Sequence, residues 1–378
     1  MEKSKVYFTD FRAKPGYNLL QKLQRLIKVA GIENIDFNNK YVAIKIHFGE
    51  PGNLAFLRPN YAKAVADVVK ELGGKPFLTD CNTLYVGGRK NAIDHIDAAY
   101  LNGFTPFSTG CHVIIADGLK GTDEAYVDIN KEYVKTAKIG RAVMDADIII
   151  SLSHFKGHEG AGFGGAIKNL GMGCGSRAGK MEMHSSGKPV VNSSKCKKCK
   201  QCQKICAHGA ISYGEDGVAQ IDHSKCAGCG RCIGTCNFDA IKSPNDESCD
   251  ILNKKMAEYA YAVVNGRPQF HISLICDVSP NCDCHAENDA PIVPNIGMLA
   301  SYDMVALDKA CADLVNKQTA FQNSALGENI KKSTEEELEK LKYDNFHINH
   351  PDTNWETQIS HGKEIGLGNP DYELIEIK

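Results

Sequence analysis

Lys195-Cys196-Lys197-Lys198-Cys199-Lys200-Gln201-Cys202-Gln203-Lys204-Ile205-Cys206 and Lys225-Cys226-Ala227-Gly228-Cys229-Gly230-Arg231-Cys232-Ile233-Gly234-Thr235-Cys236 are two copies of one pattern, C-x2-C-x2-C-x3-C. Three thiols two residues apart can wrap three corners of a cube from a single loop. The fourth, held back by a short turn, points to a second cube. The spacing therefore predicts two [4Fe–4S] clusters with crossed ligands. Cys196, Cys199, Cys202 and Cys236 would hold one, and Cys226, Cys229, Cys232 and Cys206 the other. Structural zinc knuckles use two cysteine pairs instead of four cysteines in a tight run, and here the whole run is duplicated. The repeat extends past the cysteines, with Ala210-Ile211 recurring as Ala240-Ile241 at the same offset.

This segment resembles the two-cluster bacterial ferredoxins. It departs from them after each fourth cysteine, where Ala207 and Asn237 stand in place of proline. That removes a turn-stiffener and no ligand. The flanks Ser185-Ser186-Gly187-Lys188-Pro189 and Ser243-Pro244-Asn245-Asp246 are rich in turn residues. A ferredoxin-type α+β module is expected over residues 188–246, inserted between two parts of one α/β domain, residues 1–187 and 247–378.

Outward from the module, strand and helix patterns alternate. Strands are expected at Val6–Thr9, Tyr41–His47, Pro76–Asp80, His112–Ala116, Ile148–Ser153, Phe270–Ile275 and Tyr372–Ile377. Helices are expected from Leu19 to Ala30, from Pro59 to Leu72, and over Asn91–Leu101, Ala137–Met144, Ile251–Val264, Val305–Val315 and Glu335–Leu341. This alternation predicts an α/β fold with a mainly parallel sheet layered with helices.

The chain has 378 residues, a net charge of -2 and 16 cysteines. That length supports a large core, and the charge favours neither nucleic acid nor a membrane surface as partner. Cysteine abundance without an apolar signal region at Met1-Glu2-Lys3-Ser4-Lys5-Val6 predicts a reducing, cytoplasmic setting.

Several expected strands run into polar residues: His47, Asp80, Asp117, His154 and Cys276-Asp277. Ligands of open α/β sheets bind at the carboxyl ends of strands, so these residues mark a candidate site. Helix capping is the plainer role for each one singly. The stretch Ser153–Gly175 is dense in glycine, and Gly162, Gly164, Gly165 and Asn169 with Lys156, His158, Lys168 and Arg177 suggest a loop that cradles a small anion. No G-x-x-x-x-G-K-[ST] occurs there, and no dinucleotide fingerprint is evident. His47 and His158 are candidate proton donors beside Lys156 and Lys168. Cys282-Asp283-Cys284-His285 offers two thiols and an imidazole for an additional zinc or iron ion, with His47 or His158 completing the set. The alternative is a buried reduced pair. Cys81, Cys111, Cys174, Cys249 and Cys311 read as small core residues.

The chain as a whole resembles the iron–sulfur centre proteins containing domain of unknown function 362. The residues that carry the likeness are Lys45-Ile46-His47-Phe48-Gly49-Glu50, His154 through Lys156-Gly157-His158 to Ala166-Ile167-Lys168-Asn169-Leu170-Gly171, and Pro294-Asn295-Ile296-Gly297 with Ala306-Leu307-Asp308. The resemblance implies a ferredoxin insert in an α/β domain and no particular activity. Three function classes follow. In the first, an oxidoreductase passes electrons through the clusters to a small anionic substrate. In the second, a carrier docks an electron donor or acceptor protein. In the third, the clusters are purely structural.

Overall fold

The computed structural model describes residues 2–85, 87–184, 188–226, 228, 230–244 and 248–377. Cys229 and the expected module boundaries at residues 187 and 246–247 lie outside the described residues. Eight strands form the central sheet. In spatial order they are Tyr372–Glu376, Ser4–Asp10, Gly297–Ser301, Gln269–Ile275, Ile148–His154, Tyr41–Lys45, Lys75–Asp80 and His112–Ile115. Gly297–Ser301 runs antiparallel to both neighbours, and every other pairing is parallel. The mainly parallel α/β fold read from the alternation is the fold observed. Gly297–Ser301 has no counterpart among the expected strands.

Ile148–His154 is buried along its whole length because strands cover both its edges and helices cover both its faces. Its odd and even residues serve different cores. Ile148, Ile150 and Leu152 pack with Leu23, Leu26, Val65 and Val69 of helices Leu19–Val29 and Pro59–Glu71. Ile149 faces the other side, with Met256, Ala260, Leu307 and Leu170 of helices Cys249–Val264, Met304–Asn316 and Ala166–Cys174. Local signals set the helix ends. Asn18 and Gln21 form a reciprocal capping box, Pro59 opens its helix, and Asn91 accepts the amides of Ile93 and Asp94. Among the described residues no helix is long and apolar enough to cross a membrane.

Two expectations are corrected. Ala137–Met144 is not one helix. Thr136–Gly140 is a strand paired with Glu124–Asp128, and only Arg141–Asp145 is helical. The apolar spacing suits either state, and cross-strand pairing decides it. The glycine-rich stretch is also not an open loop. Lys156–His158 and Gly162–Gly164 make a small hairpin, followed by helix Ala166–Cys174. A Cβ on Gly171 would sit 2.1 Å from the Met256 carbonyl oxygen. Glycine there serves close helix–helix packing.

The twofold cysteine repeat is written in the backbone. Lys198, Lys200 and Asp239 have φ of 56°, 61° and 50°, and Gly228, Gly230 and Gly209 at the repeat-related positions have 70°, 66° and 59°. Short helices Gln201–Ile205 and Arg231–Thr235 follow the αL residues Lys200 and Gly230. Where the chain enters and leaves this segment, Val190 pairs with Lys242 and Val191 with Ile241. Strands on both sides of it, Ile148–His154 before and Gln269–Ile275 after among them, belong to the one eight-stranded sheet.

Candidate active site and cysteine cavities

The carboxyl ends of the parallel strands open on a cavity. From the strand ends come Lys45, His47, Asp80, Cys81 and His154. From the hairpin and the following helix come Lys156, Gly164, Gly165, Lys168 and Asn169, and the loop after Gln269–Ile275 contributes Cys282 and Cys284. Ten of the sequence candidates thus share one cavity, His47, Asp80, His154, Lys156, Gly164, Gly165, Lys168, Asn169, Cys282 and Cys284, whereas Arg177 does not line it and donates to backbone carbonyls. Gly162 does not line it and packs under Trp355.

The cavity wall is strongly basic, and its cations are already engaged. Lys45 lies 3.0 Å from Asp80 and 2.8 Å from the Asn169 side-chain oxygen. Arg89 pairs with Glu50 at 2.8 Å, and Lys156 with Asp283 at 3.1 Å. Asp283 also meets His154 Nδ1 at 2.8 Å, while His154 Nε2 meets the Cys276 carbonyl at 2.7 Å. Burial works to raise the carboxyls of Asp80 and Asp283. For Asp80, Lys45 together with His95, His47 and Lys180 outweighs it, and for Asp283 His154 and Lys156 with His47 do, so both are held below the usual carboxylate range. Burial, aided by the Arg89 guanidinium, holds His47 well below the ordinary imidazole value, so its ring is neutral.

Cys282 is the most unusual group. Its sulfur receives a hydrogen bond from Cys284, the Lys168 ammonium at 3.0 Å and the His158 ring. Together these outweigh burial and hold its thiol well below the ordinary value, while Cys284 is held above it by that same shared hydrogen bond and by burial. His158 Nδ1 accepts the amides of Gly160 and Ala161, each at 3.0 Å. The proton of the neutral ring therefore sits on Nε2, where it can be donated to Cys282.

The amides that were expected to cradle an anion are partly occupied from within. Asp308 accepts Ala166 N–H at 2.7 Å and Ile167 N–H at 2.9 Å. Burial pushes its carboxyl up to about 7 despite these two bonds. Polar contact with a cavity ligand from this region falls to the side chains of Lys156, Lys168 and Asn169.

Sequence reasoning passed over Lys45, Arg89, Lys180, Tyr85 and Glu159. Lys45 carried a signal, a lysine inside an apolar strand. Arg89 and Tyr85 carried none, since a loop brings them in. At the cavity mouth Glu159 pairs with His285 Nε2 at 2.9 Å, and one ligand atom each from Glu159, Cys284 and His285 lie within 4.8 Å of one another. His47 is not in this group.

Two further cavities lie in the cysteine segment. One is lined by Cys196, Cys199, Cys202 and Cys236 among Tyr213, Ala219, Ala240 and Ile241. The other is lined by Cys206, Cys226 and Cys232 among Pro189, Ala210, Ile211 and Ile221. The amides of Ala210 and Ala240 point at Cys206 and Cys236 Sγ, each at 3.4 Å. Leu84 and Met181 of the α/β body pack into the same core as Cys202, Cys232 and Cys236. The next residues along the chain, Thr83 and Tyr85 on either side of Leu84 and Lys180 before Met181, line the strand-end cavity.

The lactate racemase apoprotein from Thermoanaerobacterium thermosaccharolyticum aligns over 98% of this chain and 82% of its own, at 11% identity and a TM-score of 0.43. A Thermotoga maritima protein aligns over 78% and 57%, at 12% identity and 0.39. In sequence, a thylakoid-associated protein of Synechocystis sp. is 27% identical over 164 residues, which is 42% of this chain and 46% of that protein. The chain thus spans less than half the length of that relative. The family described as "Domain of unknown function (DUF362)" matches residues 42–313, most of the chain, and the protein belongs to that family.

Proposed function

We propose that this is an iron–sulfur redox protein whose inserted ferredoxin-type module relays electrons through two [4Fe–4S] clusters to the basic cavity of the α/β body. The observation that carries this reading is the lining of the two small cavities. Cysteines from one run and the fourth cysteine of the other surround each of them, as crossed ligation requires. Their donor set is thiol, their walls are apolar and their amides face sulfur, which fits a cubane cluster. Bound clusters supply one-electron transfer at potentials that their protein surroundings set.

The chain's own residues give the relay a direction. Cys199 is exposed, so an electron donor or acceptor protein can reach the cavity it lines. The other cavity is lined by Gly230, whose Cβ position lies 3.6 Å from Met181 in the α/β body. The strand-end cavity suits a small anionic molecule, with Lys156 and Lys168 as its cations. His47 lines this cavity and His158 Nε2–H reaches its wall at Cys282, and these two imidazoles are the proposed proton carriers.

Anaerobic purification followed by iron and sulfide analysis tests the reading. The expected result is about eight of each per chain, with visible absorption that dithionite bleaches. One zinc per cysteine run with no visible absorption would overturn it.

A further inference from the structure

We infer that Glu159, Cys284 and His285 hold a single divalent ion of the zinc class at the mouth of the strand-end cavity, with its remaining coordination position open to that cavity. The three residues come from two separate loops that the fold brings together. A turn closed by His285 N–H to the Cys282 carbonyl, at 3.2 Å, sets Cys284 and His285 side by side. Glu159 is presented by the turn of the Lys156–His158 and Gly162–Gly164 hairpin, which the His158 ring and Gly162, at φ 82°, hold in shape. Glu159 also accepts the Cys282 amide at 3.4 Å, which ties the two loops together.

The donor set is one carboxylate oxygen, one thiol sulfur and one imidazole nitrogen, a mixture that suits a borderline ion. Three protein ligands with an open position is the arrangement of catalytic zinc sites, whereas structural sites close all four. All three residues are at least partly exposed, so a cavity ligand or water can reach the fourth position. This ligand set differs from the one the C-x-C spacing suggests. Cys282 lies outside the group, held by Lys168 and His158, and is a neighbour of the ion without binding it.

The test uses the full-length protein, purified anaerobically and equilibrated with zinc. X-ray absorption at the zinc edge should show one sulfur at about 2.3 Å and nitrogen or oxygen neighbours at about 2.0–2.1 Å. About one zinc per chain is expected. Cys284→Ser and Glu159→Gln should each weaken zinc binding at least about tenfold, and Cys282→Ser should retain it, with iron content unchanged in all three. A shell of four sulfurs would mean zinc in the cysteine runs, and a shell without sulfur an adventitious surface ion. Either overturns the site, as does loss of zinc in Cys282→Ser to the same extent as in Cys284→Ser, or a Cys282–Cys284 disulfide in the zinc-equilibrated protein. The electron-relay reading is judged separately. Missing iron and sulfide would sink the relay while a one-sulfur zinc shell left this site standing.

Discussion

Replacing Arg177 by methionine should loosen the cysteine segment from the α/β body. Arg177 is fully buried, and its guanidinium donates to three backbone carbonyls: Lys120 at 2.9 Å, Thr83 at 3.2 Å and Lys90 at 2.6 Å. Its stem lies against the cysteine segment, where a Cβ on Gly230 would be 2.8 Å from Arg177 Cγ and one on Gly234 3.1 Å from Nε. One side chain therefore joins the cavity wall at Thr83, the loop at Lys90 and the second cysteine run. Hydrogen bonds to a charged group contribute about 1.5–3 kcal/mol each, and removing the donor strands three buried carbonyls. Against this stands the cost of burying the guanidinium, visible in its pKa, which burial pushes below the ordinary value. Setting one against the other leaves a net loss of about 3–5 kcal/mol. For a chain this long, 1 kcal/mol corresponds to about 1.3 °C of midpoint, so a fall of about 4–7 °C is expected.

Anaerobic thermal unfolding followed by the fluorescence of Trp355 is a suitable assay. Arg177→Lys gives the decisive comparison. A single ammonium keeps the charge but cannot span three carbonyls in different directions, so its midpoint should fall between wild type and Arg177→Met. A methionine variant within about 1 °C of wild type would refute the reasoning, because the three bonds would then contribute nothing net. A lysine variant as unstable as methionine would show that shape alone matters.

Other expectations follow from the same geometry. Asp308 is raised to about 7 from the usual carboxyl value of about 4, so between those values the native state holds a proton that the unfolded state has lost, and its contribution to stability falls as pH rises. The midpoint of Asp308→Asn minus that of wild type should accordingly climb from pH 5 to pH 7.5, and a flat difference would reject the assignment. Gly171→Ala puts a methyl 2.1 Å from the Met256 carbonyl oxygen and should cost about 1–3 kcal/mol or more, read as a lower unfolding midpoint. For the crossed ligation, Cys206→Ser should alter the same spectroscopic centre as Cys226→Ser, and Cys236→Ser the same one as Cys196→Ser. If Cys206→Ser instead paired with Cys196→Ser, each run would serve its own cluster.

Much of the sheet was legible because its determinants are local and repetitive. Ile148–His154 is a continuous apolar run, Pro59 marks a helix start, and polar residues follow the strands at the edge where the cavity forms. What sequence could not reveal depends on contacts between distant segments. The strand Thr136–Gly140 exists because Glu124–Asp128 lies beside it. The glycines after Gly165 looked like loop formers, although Gly171 is required by the backbone of a helix some eighty residues further on. Glu159 was passed over because its partner His285 belongs to another loop, and nothing in either short stretch announces the other.

The cysteine segment and the cavity are joined by bonded neighbours along the chain. Thr83 and Tyr85 line the cavity while Leu84, between them, packs with Cys202, Cys232 and Cys236. The same exchange occurs on the helix Arg177–His184, where Lys180 lines the cavity and Met181 packs on the cysteine core. One layer of chain thus separates the two regions at both places, and Arg177 fastens that layer by bonding to the Thr83 carbonyl. A change at the cysteine core that shifts Leu84 or Met181 must move a cavity-lining residue with it, since the two are bonded neighbours in a close-packed interior. Tyr85 carries that movement farthest, because its hydroxyl hydrogen-bonds Cys284 at the cavity mouth. One connected route from the cysteine core to the rim therefore runs through Leu84, Tyr85 and Cys284, and it ends at a sulfur placed beside Cys282, His285 and Glu159.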